Sequence, residues 1–222
     1  MSLLDNLKLY SAAVCPFAQR VRLALREKNL RFDLVDIDLR NIPAWYRDVC
    51  PQGQVPFIEH GAARVLGSSV INEYLEDVFH EAPLLPRDPA ARAHARYWID
   101  IINSDFVPAF YRLLTSSAKA RAENTAKLTA PLARFEGEGF AQHGAGPYWR
   151  GTDVSLVDIA LYPFFERLCV LEHYQKFRLP AGDVRLARWH AAMQARAAVR
   201  AEFNPPEFYI RDYADYAERS KK

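Results

Sequence analysis

Cysteine and glycine are both scarce in this chain: three cysteines and nine glycines among 222 residues. An odd and small number of cysteines excludes a disulfide-stapled secreted scaffold and points to a reduced protein of the cytoplasm. No glycine falls in the spacing of a dinucleotide or P-loop fingerprint, so no nucleotide cofactor is expected. The six histidines and three cysteines contain no Cys-x-x-Cys, His-x-x-x-His or His-Glu-x-x-His pattern, and no metal is expected either. Charge of one sign is also lacking. With 29 basic and 27 acidic side chains the formal net charge is +2, which gives no reason to expect nucleic acid. Arg185, Arg188, Arg196 and Arg200 are interleaved with alanine and read as the solvated side of a helix. Long apolar runs are absent too: none approaches the ~20 residues that span a bilayer, so no membrane partner is expected. The opening Met1 to Asp5 lacks the basic-then-apolar order of an export signal.

What the chain does have is apolar residues in periodic order, 50% of the total, enough for a substantial core in one large domain or two small ones. Before residue 80 short elements alternate. Strands are predicted at Leu7 to Tyr10, Phe32 to Ile37, Pro56 to Glu59 and Arg64 to Leu66, and helices at Pro16 to about Lys28, Pro43 to Val49 and Ser68 to Phe79. Strands separated by helices pair in parallel, whereas the turn His60-Gly61-Ala62 makes the last two strands an antiparallel hairpin. The expectation is a thioredoxin-like α/β domain over residues 1–80, with a four-stranded mixed sheet and three helices.

Residues 81–89 contain three prolines and read as a linker. Residues 90–222 carry no convincing strand. Helical patterns cover about Ala90 to Ser116, Ala118 to Phe140, Ser155 to Glu172 and Val184 to Arg200, and Pro108 is expected to kink or divide the first. Gly137 to Gly146 reads as a polar loop. Ser155-Leu156-Val157-Asp158 fits the Ser-x-x-acid capping box ahead of an apolar helix, a structural role that accounts for both polar residues. The second domain is therefore an all-helical bundle. Tyr97, Trp98, Phe106, Phe110 and Tyr111 could line a substrate pocket between the domains, although helical spacing makes each of them core first. The tail Pro205 to Ile210 is apolar enough to pack back on the bundle.

The chemistry is concentrated in Cys15-Pro16-Phe17-Ala18-Gln19-Arg20. Proline in the first helical turn loses no needed hydrogen bond, which puts Cys15 at or next to the helix N-cap. The free N–H groups and positive dipole end there favour a thiolate. Cys50 and Cys169 read as small buried hydrophobes. Since position 18 is alanine, disulfide chemistry at Cys15 must draw its second thiol from another molecule.

Together with Gln54-Val55-Pro56, Ser68-Ser69-Val70-Ile71-Asn72-Glu73-Tyr74-Leu75 and the Ser155 to Asp158 box, this motif resembles the cytosolic glutathione transferases, most closely their cysteine-bearing omega class. The resemblance covers essentially the whole chain. It implies the two-domain fold just described, a homodimer, and glutathione as cosubstrate alongside a small hydrophobic or disulfide substrate. By resemblance Cys15 is the catalytic residue, and Phe17, Leu39, Val55, Pro56 and Ser68 bind glutathione. Val55 would pair its backbone with the cysteinyl part of the tripeptide in the manner of an added strand, across a Val55–Pro56 bond that is a candidate cis peptide. Ser68, read as the N-cap of its helix, would hold the γ-glutamyl carboxylate. The chain departs from the family at Gly67, where Glu or Gln is usual, and in the loop Leu39-Arg40-Asn41-Ile42, where omega-like proteins often carry Lys. The implied activity is glutathione-dependent thiol transfer or reduction, including dehydroascorbate reduction or removal of glutathione from conjugates. The alternatives are conjugation of glutathione to electrophiles and a non-enzymatic adaptor of the same fold.

Overall fold

The computed structural model describes residues 7–140 and 146–218; part of the loop expected at Gly137 to Gly146 and the last four residues lie outside that range. The chain divides into two compact units, 1–84 and 85–222.

The first unit is a four-stranded sheet in the order β2-β1-β3-β4, built from β1 (Leu7–Ser11), β2 (Asp33–Asp36), β3 (Phe57–His60) and β4 (Ala63–Leu66). β1 pairs in parallel with β2, Leu9 opposite Leu34, and antiparallel with β3, Leu9 opposite Ile58. β3 and β4 form the expected hairpin, Ile58 opposite Val65. The central position of β1 explains its composition: all but one of its residues are buried, as an inner strand covered on both faces requires. Helix α1 (Pro16–Glu27) buries Ala18, Val21 and Leu25 on its core side. It ends in a Schellman motif, with Asn29 left-handed (φ 53°) and the Leu30 and Asn29 amides returning to Leu25 and Arg26. Helix α2 (Ala44–Val49) and helix α3 (Ser68–Val78) complete the unit.

The far ends of α1 and α3 are joined by a buried ion pair. Lys28, the C-cap of α1, places Nζ 2.7 Å from Glu76 in the last turn of α3, and both side chains are at most 3% exposed. Nζ also donates to the carbonyls of Phe79, Glu81 and Ala82, while the Glu76 carboxylate accepts the Leu84 amide. The proline-bearing stretch that leaves the unit is therefore tied down rather than slack.

The second unit is helical: α4 (Pro89–Ile101), α5 (Val107–Leu114), α6 (Arg121–Arg134), α7 (Leu156–Glu166), α8 (Leu168–Gln175), α9 (Val184–Gln194), α10 (Ala197–Ala201), α11 (Pro206–Asp212) and α12 (Ala214–Glu218). Three long helical patterns are broken where the chain meets a local obstacle. Ahead of Pro108, residues Ile102–Phe106 form a π-helical turn, with the Val107 amide reaching back five residues to Ile102. A second π turn, Phe135–Gly139, occupies the start of the stretch expected to be loop. A Cβ on Gly139 would stand 2.3 Å from the Trp149 ring, so only glycine allows that indole to sit there. The helix expected from Ser155 to Glu172 divides at Arg167, whose guanidinium takes the Pro163 carbonyl at 2.6 Å, the acceptor its own amide would use in a continuous helix. The pattern from Val184 to Arg200 breaks at Arg196, whose backbone is extended (ψ 141°) and whose guanidinium lies over the Tyr148 ring. Trp98, Phe106 and Phe110 are core residues, whereas Tyr97 is 47% exposed and accepts a hydrogen bond from Arg134.

The capping box forms as the sequence predicts, and Asp158 does more than cap. Its Oδ2 accepts from the Ser155 amide and hydroxyl, both at 2.7 Å, and its Oδ1 accepts from the Trp149 amide and the Trp189 indole, both at 2.8 Å. Burial pushes the carboxyl upward while these four donors pull the other way. The tail packs back on the bundle: Tyr209 is fully buried and donates to Glu166 at 2.7 Å, and Tyr174 donates to the Ile210 carbonyl.

Asp158→Ala strands these donors in a dry core and is expected to cost about 3 kcal/mol or more in denaturant unfolding, with Asp158→Asn, which keeps one acceptor oxygen, costing less. Lys28→Met, which leaves Glu76 charged and buried, is expected to cost about 3–5 kcal/mol; Lys28→Met/Glu76→Gln should recover most of it, since a neutral amide still accepts the Leu84 amide. A double variant no more stable than Lys28→Met would exclude charge burial as the cause.

Candidate functional site

Three pieces of backbone meet around one cavity of about 430 Å³ in the first unit, lined by Cys15, Phe17, Leu39, Gly53, Gln54, Val55, Pro56, Gly67 and Ser68. The structure thus brings together every residue singled out for glutathione and its chemistry. Gly53 and Gln54 were not singled out, although Gln54 stands in the motif that flagged Val55 and Pro56. Arg40, which follows Leu39, is not among the lining residues; its amide donates to Asp38.

The first piece is the β1–α1 junction. Cys15 is the N-cap of α1, with extended backbone (φ −75°, ψ 117°) followed by Pro16. Its amide donates to Ala12 at 3.0 Å and its carbonyl accepts the first helical bond, from Gln19. The sulfur accepts the Ala18 amide at 3.5 Å and lies 3.8 Å from the Val55 carbonyl oxygen. Cys15 is 9% exposed, packed with Ala12 and Ala18 and flanked by Phe17 and Val55. A sulfur so placed faces a helix N-terminus, where negative charge is favoured.

The second piece is the turn of residues 53–56, with Val55–Pro56 in the cis form. Helix α2 holds it: the Tyr46 hydroxyl donates to the Gln54 carbonyl at 2.6 Å, and the fully buried Cys50 points its thiol at the same oxygen. Burial pushes the Tyr46 phenol far above its ordinary range, so it remains a donor. Cys50 is structural, as expected. Cys169, half-buried in the second unit with its thiol pushed up by burial, is not among the residues that line this cavity.

The third piece is the start of α3, and here one expectation is corrected. Ser68 is not the N-cap. Gly67 is, with φ +91° and its carbonyl accepting the Ile71 amide, so Ser68 is already the first helical residue. The reason is the left-handed φ at residue 67, which ends the extended chain one residue earlier than a serine cap would. No side chain caps the helix, and the Ser68 hydroxyl is not engaged as one. The Gly67 amide reaches the Pro56 carbonyl at 3.3 Å, linking this piece to the cis-proline turn.

Of the lining side chains only Cys15 is ionisable. Polar recognition in this cavity therefore falls to backbone amides and carbonyls and to Gln54 and Ser68. Among the described residues no group of three or more His, Cys, Asp or Glu is arranged to hold a metal ion, and no helix is long and apolar enough to cross a membrane.

The geometry has counterparts in known proteins. Residues 9–83 match the family model for the N-terminal domain of glutathione S-transferases. Human glutathione S-transferase omega-2 is 32% identical over 74% of this chain and 68% of its own length. The crystal structure of glutathione transferase Omega 3C from Trametes versicolor superposes with a TM-score of 0.86 at 29% identity, covering 97% of this chain and 91% of that one. That of dehydroascorbate reductase from Chlamydomonas reinhardtii gives 0.80 at 27% identity, covering 95% and 98%. The chain belongs to the glutathione S-transferase family. Within it the chain is omega-like, an enzyme of the glutathione transferase and thiol oxidoreductase type.

The positive φ at Gly67 is a backbone requirement and not a packing one, because an added Cβ would meet only Val70 Cγ2, at 4.0 Å. Gly67→Ala is accordingly expected to lower stability by about 1 kcal/mol through conformation alone, measured by denaturant unfolding.

Proposed function

We propose that this protein catalyses glutathione-dependent thiol transfer with Cys15 as the working residue. The observation that carries the reading is the Cys15 sulfur at the N-terminus of α1, facing the Ala18 amide on the wall of the cavity that Val55, Pro56 and Ser68 share. The Cys15 thiolate attacks one sulfur of a disulfide, a glutathionyl mixed disulfide included. A new S–S bond forms to Cys15, the old one breaks, and the other sulfur leaves as a thiolate that takes up a proton. A glutathione thiolate then attacks the mixed disulfide, regenerating Cys15 and releasing oxidised glutathione when the first adduct was glutathionyl. Two electrons pass from the thiols to the disulfide.

In this reading Val55 meets the tripeptide through its backbone and Ser68 meets a carboxylate at the start of α3, with Phe17 and Leu39 as apolar walls. The similarity to a dehydroascorbate reductase supports a reductive role over conjugation. A cysteine favours it too, since it forms the disulfide itself instead of only stabilising the glutathione thiolate. A homodimer in the cytoplasm belongs to the same reading.

Intact mass under non-reducing conditions, after incubation with oxidised glutathione, should show one glutathionyl group on the wild type and none on Cys15→Ala, with excess thiol releasing it. Disulfide exchange should fall at least a hundredfold in the variant. Turnover of an electrophile such as a chlorodinitrobenzene that survived in Cys15→Ala while exchange was absent from the wild type would establish conjugation instead.

A further inference from the structure

The loop that carries Cys15 is held from behind by an arginine. Arg22 lies two helical turns beyond Cys15 on α1, and because helical side chains lean toward the N-terminus its guanidinium reaches back beneath the loop. It is 3% exposed. Nη1 donates to the Ser11 hydroxyl at 2.5 Å and to the Ala12 carbonyl at 3.2 Å, and Nη2 donates to the Ala13 carbonyl at 3.4 Å. The Ala12 carbonyl is also the acceptor for the Cys15 amide, at 3.0 Å. One oxygen is thus shared between the guanidinium and the peptide that orients the thiol.

We infer that Arg22 is a positioning residue for Cys15, an inference that rests on Cys15 being the working thiol. Burying a cation is costly unless it meets acceptors, and the three acceptors named here all belong to the end of β1 and the loop before Cys15. A planar fork of donors can hold several carbonyls in fixed relative orientation, which a single ammonium cannot do as well. Pinning the Ala12 and Ala13 carbonyls fixes two consecutive peptides of the turn that the Cys15 amide closes. That in turn fixes the direction of the Cys15 Cα–Cβ bond, which carries Sγ toward the Ala18 amide and the Val55 carbonyl. Released from the guanidinium, either peptide can rotate and carry the sulfur out of line with the Ala18 amide. Ser11, buried at 1% exposure, is the anchor on the strand side.

The test reads all three cysteines of the full chain at once. Iodoacetamide alkylation at fixed pH, followed by peptide mass, gives separate rates for Cys15, Cys50 and Cys169 in the wild type, Arg22→Met, Arg22→Lys and Ser11→Ala. Arg22→Met should slow Cys15 about tenfold or more, as misplacement of a reacting group by a fraction of an ångström does. Cys50 and Cys169 should keep their wild-type rates, and Arg22→Lys should recover part of the loss. In disulfide exchange with glutathione the loss should fall on kcat with KM within about twofold, since the cavity wall is untouched. A wild-type Cys15 rate in Arg22→Met overturns the inference. So does a loss at Cys15 accompanied by fast alkylation of the fully buried Cys50, which marks opening of the fold rather than mispositioning. If Arg22→Met does not fold, Ser11→Ala and Arg22→Lys decide: a slower Cys15 alone supports the inference, and wild-type rates in both refute it. Because alkylation needs no glutathione, the absence of a glutathione adduct on the wild type would sink the proposed activity and still leave these rates readable.

Discussion

A buried lysine and a buried glutamate set the geometry on which the cavity depends. Lys28 closes α1 and Glu76 sits in the last turn of α3, and their contact at 2.7 Å fixes the spacing of the two helices at the ends remote from the chemistry. Both helices begin at the cavity, one at Cys15 and the other at Gly67 and Ser68. At the usual rise per residue the helical path from clamp to cavity is about 18 Å along α1, from Lys28 to Pro16, and about 12 Å along α3, from Glu76 to Ser68, so a small angular change at the pair moves the N-termini by a larger distance. The charges are also bound to the departing backbone at Phe79, Glu81, Ala82 and Leu84. A pair whose two members are both hydrogen-bonded to backbone is the form in which buried charges are tolerable.

Asp158 plays the corresponding part in the helical unit. An apolar helix such as α7, buried along nearly its whole length, has no polar face to set its depth or rotation. The four donors on one carboxylate supply that reference, joining the start of α7 to the Trp149 segment and to α9. Aromatic rings then fill the space around it, with Trp189 edge-on to Phe165 and Trp149 edge-on to Trp98.

The order of strands and helices in the first unit was legible because each element there is short, periodic and bounded by proline, glycine or a hairpin turn. The capping box was legible because both of its partners lie within four residues. The role of Asp158 toward Trp149 and Trp189 was not, since those contacts span 9 and 31 residues and leave no local pattern. The breaks at Arg167 and Arg196 were missed for a related reason. Arginine is a good helix former, and what stops the helix at Arg167 is a side chain competing for the backbone acceptor, which periodicity does not register. Ser68 was misread as a cap because serine is the commoner signal; the left-handed glycine before it outranks a hydroxyl. Cys15 was legible from Pro16 together with the strand-to-helix junction it stands at, whereas Ser11 and Arg22, which bond to each other behind its loop, look in the sequence like an ordinary strand end and an ordinary helix surface.

The cavity that results has one ionisable side chain, the neutral polar side chains of Gln54 and Ser68, apolar walls and backbone peptide groups. Recognition by backbone demands that the backbone be fixed, and each of the three pieces is fixed by something behind it: Arg22 under the first loop, Tyr46 and Cys50 under the Gln54 carbonyl, and the Pro56 carbonyl at the Gly67 amide. Thiol exchange places modest demands on such a site. In the reading proposed above it needs no charge-bearing partner to stabilise a leaving alkoxide, because the leaving group is itself a thiolate. It does need the attacking sulfur, the sulfur attacked and the sulfur that leaves to lie nearly in line. Under the proposed thiol transfer, a cavity whose one ionisable lining side chain is Cys15 would meet that demand through orientation rather than through charge.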